Sequence, residues 1–270
     1  MAVIAAGVAP TPPSRLQLAR WAVSDSLVMT WRNLLVWLRV PAYIAFTVIQ
    51  PVMFVLLFRY VFGGAIPVRV AGGYVDFLMP GIIGQTAAFA SFATAIALAE
   101  GMKQGIFDRF RSMPMARSAV LAGRLIADAI RMLITILVIV AIGYGVGFRF
   151  QNGVVAAVGM VLLAEVFGIV VCCVSGYIGL AIKDQESVQA FGLIWIFPLT
   201  FVSSAFVPIA TMPGWLQAFA LHQPVTIVIN AMRAMALGGD IGTPLWQSLA
   251  WLAGTLLVFG PLAVRAYRRG

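Results

Sequence analysis

The chain has 270 residues, of which 62% are hydrophobic and only 10% charged, with a mean hydropathy of +1.00. A soluble domain carries about 25% charged residues, so this composition excludes one and points to an all-α polytopic membrane protein. The net charge of +9 would suit a nucleic-acid partner, but the placement of the basic residues argues for topology instead and for no nucleic acid.

Residues 1–13 lack a basic n-region, and their apolar run is broken by prolines. They read as a disordered tail and not as a signal peptide. Residues 14–40 are apolar but carry four Arg and one Asp, which suits a helix lying in the membrane interface better than a span. Arg32 and Arg39, seven apart, share a face, and Trp31 and Trp37 suit headgroup level.

Residues 41–270 then form a six-span domain. Apolar stretches near 41–62, 77–99, 127–148, 153–182, 188–208 and 245–266 each approach the ~20 residues that cross a bilayer. Segment 212–239 is too polar for a span and too apolar for a free loop; it reads as a re-entrant helical hairpin dipping in from the outer face, backbone that only surrounding protein or water can tolerate. With the N-terminus cytoplasmic, fourteen of eighteen basic residues fall on the inner side. This predicts a multi-pass plasma-membrane protein with both termini cytoplasmic.

The chain's densest charge lies between the second and third spans. In 105–113, Ile106, Phe107, Phe110 and Met113 share one helical face, and Asp108, Arg109, Arg111 and Ser112 the other. Pro114 ends this short helix. A solvated loop that enforces topology would need the arginines but not the apolar face. The pattern therefore favours a helix docking into a partner protein, with adsorption to the membrane surface as the alternative. Further on, Arg117, Arg124 and Arg131 repeat every seven residues. Asp128 stands at i+4 from Arg124 and i−3 from Arg131, within reach of both.

Several chemistries are missing. A Walker A loop needs G-x-x-x-x-G-K-[ST] to hold nucleotide phosphates, and the two lysines, Lys103 and Lys183, are followed by Gln104 and Asp184. The chain thus reads as no ATPase. A single histidine, His222, gives no metal cluster, and the adjacent Cys172 and Cys173 read as small core residues. Glu165 lies ~18 Å from the outer end of the fourth span at 1.5 Å per residue. It is a candidate intramembrane polar site, or else a carboxyl hydrogen-bonded to a neighbouring helix.

Four ordered segments carry a resemblance: RNLLVWLRVPAYIAFTVIQPVMFVLLFRYVFGGAI, YVDFLMPGII, DRFRSMPMARSAVLAGR and FVSSAFVPIATMPGWLQAFALHQPVTIVINAMRAMALGG. Together they resemble the type-2 ABC exporter permeases, and most of all the daunorubicin-resistance subfamily, from about residue 30 onward. The resemblance implies an interfacial connecting helix ending over Arg32 to Arg39, six spans, and a re-entrant hairpin that includes Pro213, Trp215, Pro224 and Arg233. It also implies a coupling helix over 105–117, with Ile106, Phe107, Asp108, Arg109, Phe110, Arg111, Met113, Pro114 and Arg117 seated in an ATPase. Partners would be two copies of an ABC ATP-binding subunit, which bind ATP and Mg2+, and a second permease in a homodimer or heterodimer. No cofactor would reside in this chain.

The implied activity is export of hydrophobic or amphiphilic compounds, drugs, polyketides or envelope lipids, across the bacterial plasma membrane. The candidate substrate path is Phe89 and Phe92 on the second span with Phe191, Trp195, Phe197 and Phe201 on the fifth, each of which packing alone also explains. A cell-envelope glycolipid or polysaccharide exporter permease, a non-transporting assembly scaffold and an ion-coupled transporter using Glu165 are the rival readings. Arg59 departs from the small or apolar residue the family pattern leads one to expect.

Overall fold

The computed structural model describes residues 15–66, 68, 73–105, 119–182 and 184–269. The expected tail over 1–13 and the amphipathic helix residues 106–117 lie outside them. The described residues are helical, with turns between, and contain no strand.

Helix α1 (Arg15–Arg39) stops where Val40 turns extended, because Pro41 disfavours the helical conformation of the residue before it. Pro41 opens helix α2 (Pro41–Leu57), where its missing N–H costs nothing. The chain then widens into a π-helical turn over Phe58–Phe62. Helix α3 (Gly73–Lys103) is the centre of the molecule, buried almost without break from Tyr74 to Gln85. Helix α4 (Ala119–Gly145) turns through a short segment that buries Phe148 completely and leads into α5 (Gly153–Ile182). Asp184 then caps α6 (Gln185–Phe201) by accepting from the Ser187 amide at 2.9 Å.

The expected fifth span over 188–208 is corrected here: its helix ends at Phe201. Pro198 withholds a backbone donor, while the Thr200 hydroxyl donates to the Ile196 carbonyl and the Ser203 hydroxyl to that of Thr200. These local bonds compete with the helical ladder. Residues 202–208 therefore run irregularly across α3, so close that a Cβ on Gly81 would stand 2.0 Å from the Ala205 carbonyl oxygen.

Segment 212–239 forms two helices, α7 (Gly214–His222) and α8 (Pro224–Leu237), broken at Gln223. Gly238 and Gly239 then take positive φ values of 91° and 114°, a conformation glycine adopts without steric cost, and lead into α9 (Gly242–Arg269). Among the described residues, four helices are long and apolar enough to cross a bilayer: Gly73–Lys103, Ala122–Gly145, Gly153–Ile182 and Gly242–Tyr267. Thr47–Phe62 and Pro224–Leu237 are shorter apolar helices.

Packing runs mainly along α3 and α5, with small residues at the contact. A Cβ on Gly179 would lie 2.3 Å from the Ala95 carbonyl oxygen, and Ser91 and Ser175 share a hydrogen bond of 2.9 Å. In lipid, close backbone approach and interhelical hydrogen bonds take over the role that water exclusion plays in soluble bundles. Helix α1 crosses α4 in the same manner: the Thr30 hydroxyl donates to the Gly123 carbonyl at 3.2 Å.

Candidate functional site: a polar cavity among four helices

The sequence places Asp128 between two arginines, and the structure closes both pairs. Arg124 Nε lies 3.0 Å from Oδ2 and Arg131 Nη2 lies 2.9 Å from Oδ1. A third donor, unforeseen from the sequence, is the Thr94 hydroxyl of α3, 2.6 Å from Oδ2. Thr94 also lies 3.6 Å from the Cys172 sulfur of α5. Asp128 is thus buried and fully paired, which is how a carboxylate is kept inside a low-dielectric core. Each guanidinium spends one nitrogen on it and keeps further N–H groups.

Both arginines line an open-sided cavity of about 530 Å³ among α1, α2, α3 and α4. Arg124 and Arg131 line one side; Val36, Phe54, Phe89, Phe92 and Ile96 form an apolar wall. Asn33, Trp37, Gln50 and Gln85 add neutral polar groups. The Trp37 indole N–H is buried with no acceptor among the described residues. Gln85 is only 5% exposed. Glu100, at the cytoplasmic end expected of α3, is the carboxylate in the lining and accepts a bond from Gln104 at 2.9 Å.

The six aromatics expected along one path do not share one cavity. Phe89 and Phe92 line the cavity just described, while Trp195 lines a second, almost wholly apolar one of about 300 Å³ among α3, α5, α6, α8 and α9. Phe191 is exposed. Phe197 links the two regions: it meets Phe89 edge-on at 6.1 Å and stacks on Phe201 at 4.3 Å. Phe201 in turn meets Phe206, which stacks on Phe58 at 4.4 Å. The result is a ladder of rings from α3 through α6 to α2.

At the opposite end, Arg233 of α8 acts as a clamp. Its guanidinium donates to the carbonyls of Phe77, at 3.1 and 3.2 Å, and Ser204, at 2.6 Å, and to Asn230 Oδ1 at 2.9 Å. It also lies 3.8 Å above the Phe77 ring. Nearby, Tyr74 donates to the Phe206 carbonyl and Gln151 to Asp76, and the Gln223 side chain donates to the Val202 carbonyl. Of the other hairpin residues, Pro213 precedes α7, Pro224 opens α8, and Trp215 is 76% exposed. Arg32 and Arg39 sit on the exposed side of α1.

Glu165 is buried, and neither carboxyl oxygen has a hydrogen-bond partner among the described residues. By helical spacing it shares a face of α5 with Gly168, Cys172 and Gly176, the face packed on α3 and α4. The alternative of a carboxyl hydrogen-bonded to a neighbouring helix is not found there. What the sequence did not disclose was the cavity itself: Asn33, Gln50 and Gln85 are scattered over three helices, and only the Arg-Asp-Arg spacing signals one wall of it.

A helical chain with, among its described residues, four bilayer-length apolar helices around a buried ionic hub is a multi-pass membrane protein in architecture. The chain belongs to the ABC-2 type transporter family, whose pattern matches residues 25–237. It is 34% identical over 251 residues to the daunorubicin resistance ABC transporter permease protein DrrB1 of Streptomyces coeruleorubidus, covering 92% of this chain and 87% of that protein. It is 31% identical over 264 residues to the "Probable doxorubicin resistance ABC transporter permease protein DrrC" of Mycobacterium tuberculosis, covering 97% and 95%. At greater distance, the inner membrane transport permease YadH of Escherichia coli is 24% identical over 198 residues, covering 71% and 76%.

Proposed function

We propose that the chain is the permease subunit of an ATP-driven exporter that carries drugs or other hydrophobic and amphiphilic compounds out across a bacterial plasma membrane. The observation that carries this reading is the end-to-end similarity to permeases named for daunorubicin and doxorubicin resistance. ATP and Mg2+ would be bound by a separate ATP-binding subunit in two copies, since neither lysine of this chain stands in a phosphate-binding loop.

In this reading the six spans are α2 with its π-helical turn, α3, α4, α5, α6 and α9. Helix α1 is the interfacial connecting helix, and α7 with α8 is the re-entrant hairpin. Both termini are cytoplasmic, and a second permease, identical or different, completes the path. Residues 105–117 are the coupling helix. ATP binds one conformation of the assembly more tightly than the other, and that difference alone shifts the exposure of the cargo chamber.

The test is co-expression with the ATP-binding subunit, followed by daunorubicin uptake into inverted vesicles. ATP-dependent uptake that is lost in Phe110→Ala and Arg109→Ala is the expected result. Stable assembly with the ATPase but no nucleotide-dependent movement of any amphiphile would instead support the scaffold reading. Normal coupling in the Phe110 and Arg109 variants would remove the coupling helix.

A further inference from the structure

The cavity among α1–α4 is two-faced in a way that neither a drug-resistance name nor generic lipid contact explains. Its donors are many: Arg124 and Arg131 each retain N–H groups after pairing with Asp128. The Trp37 indole N–H is buried without an acceptor among the described residues. Gln85, on the same cavity, adds an amide. Donors held this way are satisfied only by an acceptor from outside the fold, because a buried polar group left unpaired is costly. The same lining holds Phe54, Phe89, Phe92 and Ile96, which offer nothing to a charged group but cover hydrocarbon well.

The charge balance points to the sign of the guest. Asp128 is spent on three donors and offers no remaining anchor for a cation. Glu100 is the one carboxylate in the lining among the described residues, and it accepts from Gln104 at the C-terminal end of α3, whereas the two arginines flank the interior. Planar guanidiniums match the geometry of phosphate and carboxylate oxygens. We infer that this cavity binds the anionic head of an amphiphile, a phosphate or carboxylate on a hydrocarbon chain. The head lies between Arg124 and Arg131, and the chain lies along Phe54, Phe89 and Phe92. As a statement about cargo entry the inference rests on the permease reading above; as a statement about binding it does not.

The experiment uses the full chain purified in maltoside. Palmitoyl lysophosphatidate, lysophosphatidylcholine, hexadecylamine and inorganic phosphate are titrated against tryptophan fluorescence, and Trp37→Phe identifies the responding indole. The lysophosphatidate is expected to bind about tenfold more tightly than the zwitterionic lipid and to leave the amine far behind. Inorganic phosphate should compete only weakly, since it cannot cover the aromatic wall. The Arg124→Gln, Arg131→Gln double variant should lose the preference. Because that variant also strands Asp128, Gln85→Leu, which leaves both ion pairs intact, provides the second reading and should weaken binding several-fold.

Equal affinity for the three lipids, tighter binding of the amine, or unchanged binding in both variants overturns the inference. Equal competition by free phosphate overturns the amphiphile and leaves an anion site. Failure here together with ATP-dependent drug uptake refutes the cavity assignment alone. Tight lysophosphatidate binding with no ATP-dependent transport refutes the permease reading instead.

Discussion

Replacing Arg233 by alanine strips the α8 clamp of every donor at once. The Ser204 carbonyl, 2.6 Å from the guanidinium and in an irregular segment, loses its Arg233 donor, at a cost of about 1–3 kcal/mol. The stack on Phe77 at 3.8 Å contributes about 0.5–2 kcal/mol more. Removing a charge from a partly buried site returns some desolvation energy, so the net loss should be about 3 kcal/mol, less than the sum of its bonds. For a chain of this size that corresponds to a fall in thermal midpoint of about 6–12 °C, read by intrinsic fluorescence in detergent. Arg233→Lys should fall between, because one ammonium cannot reach both the Phe77 and Ser204 carbonyls in the fork geometry. A loss below about 1 kcal/mol in the alanine variant, or a lysine variant equal to wild type, would refute the clamp.

Three further outcomes follow from the same coordinates. Gly179→Ala should destabilise the α3–α5 contact by about 1–3 kcal/mol, since the new Cβ would meet the Ala95 carbonyl oxygen at 2.3 Å; Gly176→Ala, whose Cβ would meet only the end of the Leu98 side chain at 3.2 Å, should cost less. Equal thermal midpoints for the two variants would show that α3 and α5 are not locked by backbone contact. Glu165→Leu should leave stability unchanged or raise it by about 1 kcal/mol, because it removes two buried oxygens that have no partner among the described residues; a marked fall would reveal a partner supplied in the assembled transporter. Asp184 lies outside the spans, and the Ser187 amide it caps holds its carboxyl below the ordinary aspartate range. The sign follows from that depression: the cap's contribution is complete above the unfolded-state value of about 3.9 and is lost as pH falls through the lower folded value. Hydrogen exchange of the Ser187 amide, corrected for its intrinsic rate, should therefore rise on acidification and should be high at all pH values in Asp184→Ala.

Periodicity made the long helices legible because burial in a bilayer leaves little else for an apolar run of 20–30 residues to do. Helix α5 falls on 153–182 as expected, and α1 within 14–40. The end of α6 was not legible: 202–208 are as apolar as the helix before them, and only the capping hydroxyls of Thr200 and Ser203 and the close pass over Gly81 decide against a continued helix. Local spacing gave the Arg124–Asp128–Arg131 pairs, since i+3 and i+4 neighbours meet on any helix. It could not give Thr94, which reaches Asp128 from another helix 34 positions away. The aromatic path shows the limit most clearly: the same six residues are divided between two cavities and an exposed face, because a side chain's helix face is legible while the helix that meets it is not.

The two ends of the bundle are built to different stiffness, and this bears on how a partner's force would travel. Around the start of α3, contacts cross between elements through paired polar groups: Tyr74 to Phe206, Gln151 to Asp76, Arg233 to Phe77 and Ser204, and the Ser204 amide to Thr226. These tie α3, the α4–α5 turn, the segment after α6 and α8 into one unit. At the other end of α3 the ties include Thr30 to Gly123, Thr94 to Asp128 and the close approach of Gly179 to Ala95, and they border a chamber of about 530 Å³. A displacement applied between Gly105 and Ala119 acts on the ends of α3 and α4 nearest that chamber. Packed cores transmit strain and voids absorb it, so the chamber's walls should move first and the Arg233 end should serve as the pivot. Distance measurements between labels on α1 and α3, with and without nucleotide on the ATPase, should then change more than those between α8 and α3. A larger change at the α8 pair would place the pivot at the wrong end.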